Sequence, residues 1–272
     1  MKINVTEQDS RFKNLDKMST RELLCGINSE DKTVAYAVEK SIPQIERLVD
    51  AIAERMSRGG RVFYLGSGTS GRLGITDASE VLPTFGMDNL FLSLISGGDK
   101  AFRDAYEDAE DDPEQGWKDM LPFNPTENDS VIGISASGSA PYSVGALQTA
   151  KEHGLLTGCI CCNEDSAMSK VCDYPIVAVV GPEFVTGSTR MKAGTATKLI
   201  LNMISTSLMI LSGHVKGCKM VDMQLTNRKL VDRGTRMLME ATGIEDYQKA
   251  KELLLEAGSV RKAEEQYKNL QP

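Results

Sequence analysis

Apolar residues recur along this chain with two different periods, and the alternation between them sets out a fold. Over residues 31–57 they fall at Val34, Ala37, Val38, Ile42, Ile45, Leu48, Val49 and Ile52, the spacing of one helical face. Pro43 predicts a kink or restart in that stretch, and Gly59-Gly60 ends it. Ser19-Thr20-Arg21-Glu22 has the form of a capping box leading into Leu23 and Leu24, so an earlier helix begins there. Residues 1–18 are polar and are expected to be extended or poorly ordered. From Arg61 the pattern changes. Short apolar runs at Val62–Leu65, Asn89–Ser96, Ser130–Ser135, Leu156–Cys162 and Pro175–Val180 read as strands. Helical patterns lie at Lys100–Asp111, at Pro141–His153 with proline in the first turn, and at Ser166–Val171. A long one follows at Thr189–Ser212, apolar on most faces and therefore expected to be buried.

Strands alternating with helices predict an α/β fold with a doubly wound, mostly parallel sheet. N-terminal helices precede the sheet, and a small C-terminal helical appendage follows it. The expected division is an α/β domain over residues 1–218 and a helical region over 219–272, with Ala241-Thr242-Gly243 marking one break between helices.

Three strand-to-helix turns are rich in hydroxyls. The first, Gly66-Ser67-Gly68-Thr69-Ser70-Gly71, follows the run at 62–65. Its glycines let a ligand approach the backbone, and the free N–H groups of a helix start favour negative charge. Ser67, Thr69 and Ser70 add donors around Gly68. The second, Ser135-Ala136-Ser137-Gly138-Ser139, echoes it at the end of another strand. Two such loops on neighbouring strands can converge on one ligand at the carboxyl edge of the sheet. The third places Ser188 and Thr189 at a helix start beside Arg190 and Lys192. Gly66, Gly68 and Gly71 match the dinucleotide spacing, but Asp99 lies beyond Gly97-Gly98, too far on for a ribose partner. Arg72 follows Gly71 where a P-loop has Lys-Ser/Thr. Hydroxyl-rich turns of this kind suit a phosphate monoester better than a pyrophosphate. An ordinary glycine turn and simple N-capping are the structural alternatives.

Composition limits the partners. The chain has 272 residues, 41% of them hydrophobic, enough for a sizeable core. Its net charge is −7 and no Lys/Arg-rich block occurs, which argues against nucleic acid and against an anionic membrane surface. Cys159 and Cys162 have C-x-x-C spacing, but no second pair completes a zinc site, and their apolar run reads as core. His153 and His214 add no ligand spacing. The N-terminus has no signal-peptide pattern, and no run of about 18 apolar residues suggests a membrane span. A soluble, reduced, cytoplasmic protein is expected.

With these motifs in order, the chain resembles the N-acetylmuramic acid 6-phosphate etherases of the sugar isomerase (SIS) domain superfamily. LGSGTSGRLGITDASE, the AEDD at 109–112, SASGSAPY and VTGSTRMKAGTATKLILNM carry the likeness, from about residue 30 to 245. The resemblance implies an SIS-type fold, a phosphosugar substrate whose D-lactyl ether at C3 is cleaved, a homodimer, and no metal or nucleotide cofactor. It implies that Glu80 is the proton donor and Glu110 a second active-site carboxylate. By themselves Glu107, Glu110, Asp111 and Asp112 read as a solvated acidic helix end, and Glu80 as a surface residue. Were the helix after Ser70 unbroken, its rise of about 1.5 Å per residue would carry Glu80 roughly 15 Å from the first loop. Either the helix breaks, near Gly74, or Glu80 serves a neighbouring subunit. The chain departs from the family pattern at Ser139-Ala140, at Val81-Leu82, at Cys162-Asn163-Glu164-Asp165 and in its short tail. A non-catalytic sugar-phosphate sensor and an aldose–ketose isomerase on the same scaffold are the alternatives.

Overall fold

Five strands form one parallel sheet among the residues that the computed structural model describes, 4–104, 106 and 108–269. They are β1 (Val62–Gly66), β2 (Phe91–Ile95), β3 (Ser130–Ile134), β4 (Leu156–Cys161) and β5 (Tyr174–Val177), in the order β2-β1-β3-β4-β5. Helices α1 (Thr20–Asp31), α2 (Val34–Glu39) and α3 (Ile42–Ser57) precede the sheet. Between the strands run α4 (Gly68–Ser79), α5 (Val81–Phe85), α6 (Lys100–Arg103), α7 (Gln115–Met120), α8 (Pro141–Glu152) and α9 (Ala167–Val171). After β5 comes α10 (Lys192–Leu211).

The register shows how both faces are covered. Gly133 pairs with Cys159, and a side chain at Gly133 would run into Leu147 of α8. One at the adjoining Gly158 would strike Leu48 of α3 instead. Successive strand residues point to opposite faces, so α8 and α3 lie on opposite sides. Burial on both faces explains why β1, β3 and β4 are continuous apolar runs rather than alternating ones. Among the described residues β5 is an edge strand beside β4, and this edge position tolerates Pro175, which lacks an N–H.

The chain divides into two compact units, Met1–Asp77 with Leu90–Ser205, and Ala78–Asn89 with Thr206–Pro272. The second unit holds α5, the end of α10, a short antiparallel pair β6 (Val215–Lys216) and β7 (Lys219–Met220), and then α11 (Arg228–Thr242), α12 (Tyr247–Ala257) and α13 (Val260–Asn269). Val221, Met223, Leu238, Leu254 and Val260 are at its centre. Asn227 caps α11 by accepting from the Leu230 N–H, and left-handed Gly243 and Gly258 end α11 and α12.

Several expectations need correction. The N-terminal segment is not loose: residues 4–18 are part of the first unit, with short 3₁₀ turns at Val5–Glu7 and Leu15–Lys17. Polar composition misled there, because a few anchors suffice to fix the segment: Thr6 bonds to Asn163, and Ser10 to Thr186 and Phe184, while most of the other side chains stay exposed. The helix expected at Lys100–Asp111 is only α6 followed by a 3₁₀ turn at Asp108–Glu110; Glu107 lies outside the described residues. The pair β6–β7 is two residues per strand, too short to show a period. The long helix α10 is buried along much of its length, with Ile200, Leu201, Ile204, Leu208 and Met209 in the core, but not all round, since Met203, Ile210 and Leu211 remain exposed. By length and composition only, α10 is apolar enough to cross a membrane, and half of its apolar window is buried in the protein, as in a core helix. The capping box at Ser19 forms as read, with the Glu22 N–H on Ser19 Oγ and the Ser19 N–H on Glu22 Oε2.

A charged clamp fixes the amino ends of β1 and β3. Arg61 donates to Asp129 from Nε at 3.1 Å and from Nη2 at 2.8 Å, and its backbone N–H reaches Asp129 Oδ1 at 2.7 Å. Burial alone would push the Asp129 carboxyl up, but the Arg61 guanidinium and the N–H groups of Thr126 and Arg61 outweigh it and hold it below the usual range. A depressed carboxyl stabilises the fold above its unfolded-state pKa, and that contribution is lost as pH falls through the folded one. Asp129→Ala is therefore expected to lower the unfolding free energy by about 2 kcal/mol at neutral pH, since it removes the acceptor of the Arg61 guanidinium and of the Arg61 and Thr126 N–H groups, while Arg61 keeps the Phe123 and Asn124 carbonyls. Urea melts between about pH 2 and 6 should show the wild-type advantage shrinking toward the acid end; a constant gap between the two proteins would refute the assignment.

Candidate functional site

The strand order reverses between β1 and β3, because β2 lies beyond one and β4 beyond the other. Chains leaving two such neighbours diverge and open a crevice at the carboxyl edge. A cavity of about 430 Å³ lies there.

The first loop forms its floor. α4 starts at Gly68, directly after β1, so Gly68, Thr69 and Ser70 are its first turn. Gly68 has φ +51°, which lets the chain turn into the helix at once. A Cβ at Gly71 would lie 2.6 Å from Ile95 of β2, so only glycine allows α4 this close to the sheet. The Ser70 and Gly71 N–H groups bond back to the Ser67 carbonyl, while those of Gly68 and Thr69, at the helix start, have no backbone partner among the described residues. Ser67 Oγ is buried and, among the described residues, has no hydrogen-bond partner. Ser67, Gly68, Thr69 and Ser70 all line the cavity.

From the second loop, Ser135 and Ser137 line the opposite wall. Their hydroxyls form a chain, Ser135 Oγ to Ser137 Oγ at 3.2 Å and Ser137 Oγ to Ser139 Oγ at 2.9 Å. Gly138 and Ser139 shape the turn, their N–H groups donating to Ser135 Oγ and Ser137 Oγ; neither is in the described wall.

Only part of the third loop reaches the cavity. Thr189 lines it, and Ser188 is not in the described wall. The start of α10 is not free for an anion, because Glu183 accepts from the Lys192 N–H at 2.9 Å and the Ala193 N–H at 3.0 Å. The sequence pattern sets Lys192 beside the hydroxyls, and the fold corrects this. Its side chain is 1% exposed, and its Nζ donates to Glu30 Oε2 on α1 at 2.5 Å. Arg11 approaches the same Glu30 at 3.6 Å. Lys192 is thus held in a buried ion pair, away from the described wall.

Glu110, on its 3₁₀ turn, faces the cavity. Glu80 follows α4 in the second unit, where it is exposed. α4 does not break at Gly74; that glycine serves packing, since a Cβ there would lie 2.9 Å from Ser93 Oγ and 3.2 Å from Tyr64 Cβ. Asp77 ties the helix down just before its end, accepting from Tyr64 Oη and Ser205 Oγ, each at 3.2 Å. Burial pushes the Asp77 carboxyl up, partly offset by the Ser205 hydroxyl, by Lys198 and by Tyr64.

Sequence reasoning missed Arg72, Glu7 and Thr197, all of which line the cavity. Arg72 donates to the carbonyls of Ala101 at 2.8 Å, Phe102 at 3.0 Å and Asp104 at 2.9 Å, and so fastens the segment that leads to Glu110. Its place directly after the glycine loop was the available signal. Thr197 lies more than one turn into α10, where no loop motif marks it. Among the described residues, no group of three or more His, Cys, Asp or Glu is arranged to hold a metal ion. The arrangement suits a small ligand with an anionic end on the hydroxyl floor and a reacting part near a carboxylate.

Residues 44–151 match the model of the glucokinase regulatory protein N-terminal SIS domain, and residues 108–207 match that of the SIS domain. The chain is 58% identical over 267 residues to N-acetylmuramic acid 6-phosphate etherase of Bacteroides fragilis, covering 98% of this chain and 95% of that protein. It is 56% identical over 269 residues to the protein of the same name from Porphyromonas gingivalis, covering 98% of each. Among solved structures, phosphoheptose isomerase GmhA of Neisseria gonorrhoeae shares the fold with a TM-score of 0.52 at 15% identity, over 70% of this chain and 98% of that one. A phosphoheptose isomerase from Francisella tularensis has a TM-score of 0.50 at 17% identity, over 70% and 100%.

Ser70→Ala and Ser137→Ala are each expected to weaken binding of inorganic phosphate by about 1–3 kcal/mol, the loss of a hydrogen bond to a charged group. Titration calorimetry checks this, and unchanged affinity in both variants removes the loops from anion binding. Lys192→Met should cost about 3–5 kcal/mol of stability by leaving Glu30 buried without its ammonium. The double variant Glu30→Gln/Lys192→Met should recover part of that loss in denaturant melts; purely additive losses would mean that the pair is not coupled.

Proposed function

This chain belongs to the N-acetylmuramic acid 6-phosphate etherase family, and we propose that it cleaves the D-lactyl ether of N-acetylmuramic acid 6-phosphate to N-acetylglucosamine 6-phosphate and D-lactate. Near-full-length identity of 58% to an etherase of that name carries this reading. The cavity supports it, since Glu110 and the hydroxyls of the first two loops line one space.

The phosphate rests on Ser67, Thr69, Ser70, Ser135 and Ser137, with the amides of the α4 start. Gly138, Ser139, Ser188 and Thr189 complete the binding loops, and Lys192 acts through the pair that seats α10. Anchoring at that end positions C2 and C3 of the open-chain sugar. The C2–H is acidic because it is α to the C1 aldehyde. A base removes that proton, the electron pair forms the C2–C3 double bond, and the C3–O bond breaks with proton transfer to the departing lactate oxygen. Water then adds at C3 and a proton returns to C2. Two carboxyls in different surroundings can divide these duties at neutral pH. Glu80 takes the donor role and Glu110 the second.

An unbroken α4 favours the arrangement in which Glu80 serves the site of a second copy in a homodimer. The cytoplasm is the compartment assigned, in keeping with six free cysteine thiols. A glucokinase-regulatory-type sensor is the other reading, favoured by the model matching residues 44–151.

In isotopically labelled water, elimination and addition place solvent oxygen at C3 of the sugar product and solvent deuterium at C2, with no label in the lactate hydroxyl. Label in that hydroxyl would mean displacement at the lactyl carbon and would overturn the mechanism. Glu80→Gln and Glu110→Gln should each cut turnover by roughly 10²–10⁴-fold with binding largely kept. Near-normal turnover in either variant removes that residue from its role. Sugar-phosphate binding without any lactate release would leave the sensor reading.

A further inference from the structure

The N-terminal strap brings to the cavity a group that the hydroxyl loops lack. Thr6 is buried, and its N–H donates to Asn163 Oδ1 at 3.2 Å. Asn163 Nδ2 returns a bond to Thr6 Oγ1 at 2.9 Å and donates to the Ser137 carbonyl at 3.2 Å. Further along, the Ser10 N–H donates to Thr186 Oγ1 at 2.9 Å, and its hydroxyl donates to the Phe184 carbonyl at 2.7 Å. Glu7 lies between these two anchors, on the 3₁₀ turn at Val5–Glu7, so its backbone is held from both sides. Its side chain lines the cavity, and a Cβ on Gly187 of the third loop would sit 3.6 Å from its Oε2. Among the described residues, the Glu7 carboxylate has no hydrogen-bond or ion-pair partner.

Chemistry narrows what such a group meets. A carboxylate accepts hydrogen bonds and cannot donate them. At close range in a partly enclosed site it repels an anion, so it is unsuited to the phosphate end. What it suits is an O–H or N–H on the uncharged part of the same ligand. We propose that Glu7 is a substrate-recognition residue that accepts a hydrogen bond from a sugar hydroxyl or acylamino N–H while the loops hold the phosphate. This rests on the phosphosugar reading above. Through Asn163 the strap is bonded to the carbonyl of Ser137, so Glu7 is placed against the phosphate loop itself. The site thereby senses how far a donor stands from the phosphate.

The test compares two ligands on the full chain and on Glu7→Ala and Glu7→Gln, using calorimetry with N-acetylglucosamine 6-phosphate and with inorganic phosphate. Glu7→Ala should weaken the sugar phosphate by about ten- to a hundredfold, the loss of one charge-assisted hydrogen bond. Glu7→Gln, which keeps the shape, should weaken it by about tenfold. Inorganic phosphate should bind both variants as well as it binds the unmodified chain, or more tightly, because a negative charge has gone. Unchanged sugar-phosphate affinity in Glu7→Ala overturns the proposal. Equal weakening of both ligands overturns it too, since that marks a strap that has merely come loose. Lactate release from N-acetylmuramic acid 6-phosphate is followed in parallel: an unmodified chain that binds N-acetylglucosamine 6-phosphate but releases no lactate from the muramic acid compound sinks the etherase reading, and the Glu7 comparison still decides.

Discussion

Parallel pairing of β1 with β3 is the constraint to which the first unit answers. Gly66 stands opposite Ile134 across the ladder, so the two strands finish level and their loops leave from one edge. The connections then diverge, and the crevice between them follows from topology before any side chain is considered. Glycine at position 71 allows α4 to start against the sheet, and the charged clamp of Arg61 with Asp129 sets the same two strands at their other ends. Strand register, helix approach and hydroxyl placement are consequences of one another here.

The sheet was legible because each strand is a buried apolar run bounded by turn residues. All five strands fall within or beside the runs marked in the sequence, and Ser19, Pro141 and Gly243 mark helix ends where they were read. What could not be read depends on contacts far apart in the chain. Thr6 finds Asn163, 157 residues away, and Ser10 finds Thr186, 176 residues away. No local period records such pairs, so a polar segment reads as loose when it is in fact bonded at both ends. The same holds for Arg72, whose three carbonyl partners belong to a segment about thirty residues on. Within the site, the convergence of the loops at 66–71 and 135–140 followed from the strand pattern, whereas the burial of Lys192 did not. A lysine between hydroxyls and a helix reads as an anion ligand; only the fold reveals that Glu30 takes its charge.

Charge is distributed sparingly around the cavity. The floor is made of neutral hydroxyls and backbone amides, and the guanidinium of Arg72 is committed to carbonyls. Lys192 and Arg11 gather around Glu30. An anion held by neutral donors is oriented by geometry more than by net charge. That leaves room for carboxylates nearby without a large opposing field, and it agrees with a chain whose net charge is −7.

The strap also has a bearing on the order in which the molecule can be made. Its residues leave the ribosome early, yet Asn163, Phe184 and Thr186 must be synthesised before they can dock. Contacts of such long sequence separation form late, because the loop they close is entropically costly. Until those residues emerge the wall carrying Glu7 is missing, and the nascent sheet edge stands open to water. The cavity is completed only once the third loop has emerged, so a half-made chain lacks one of its walls.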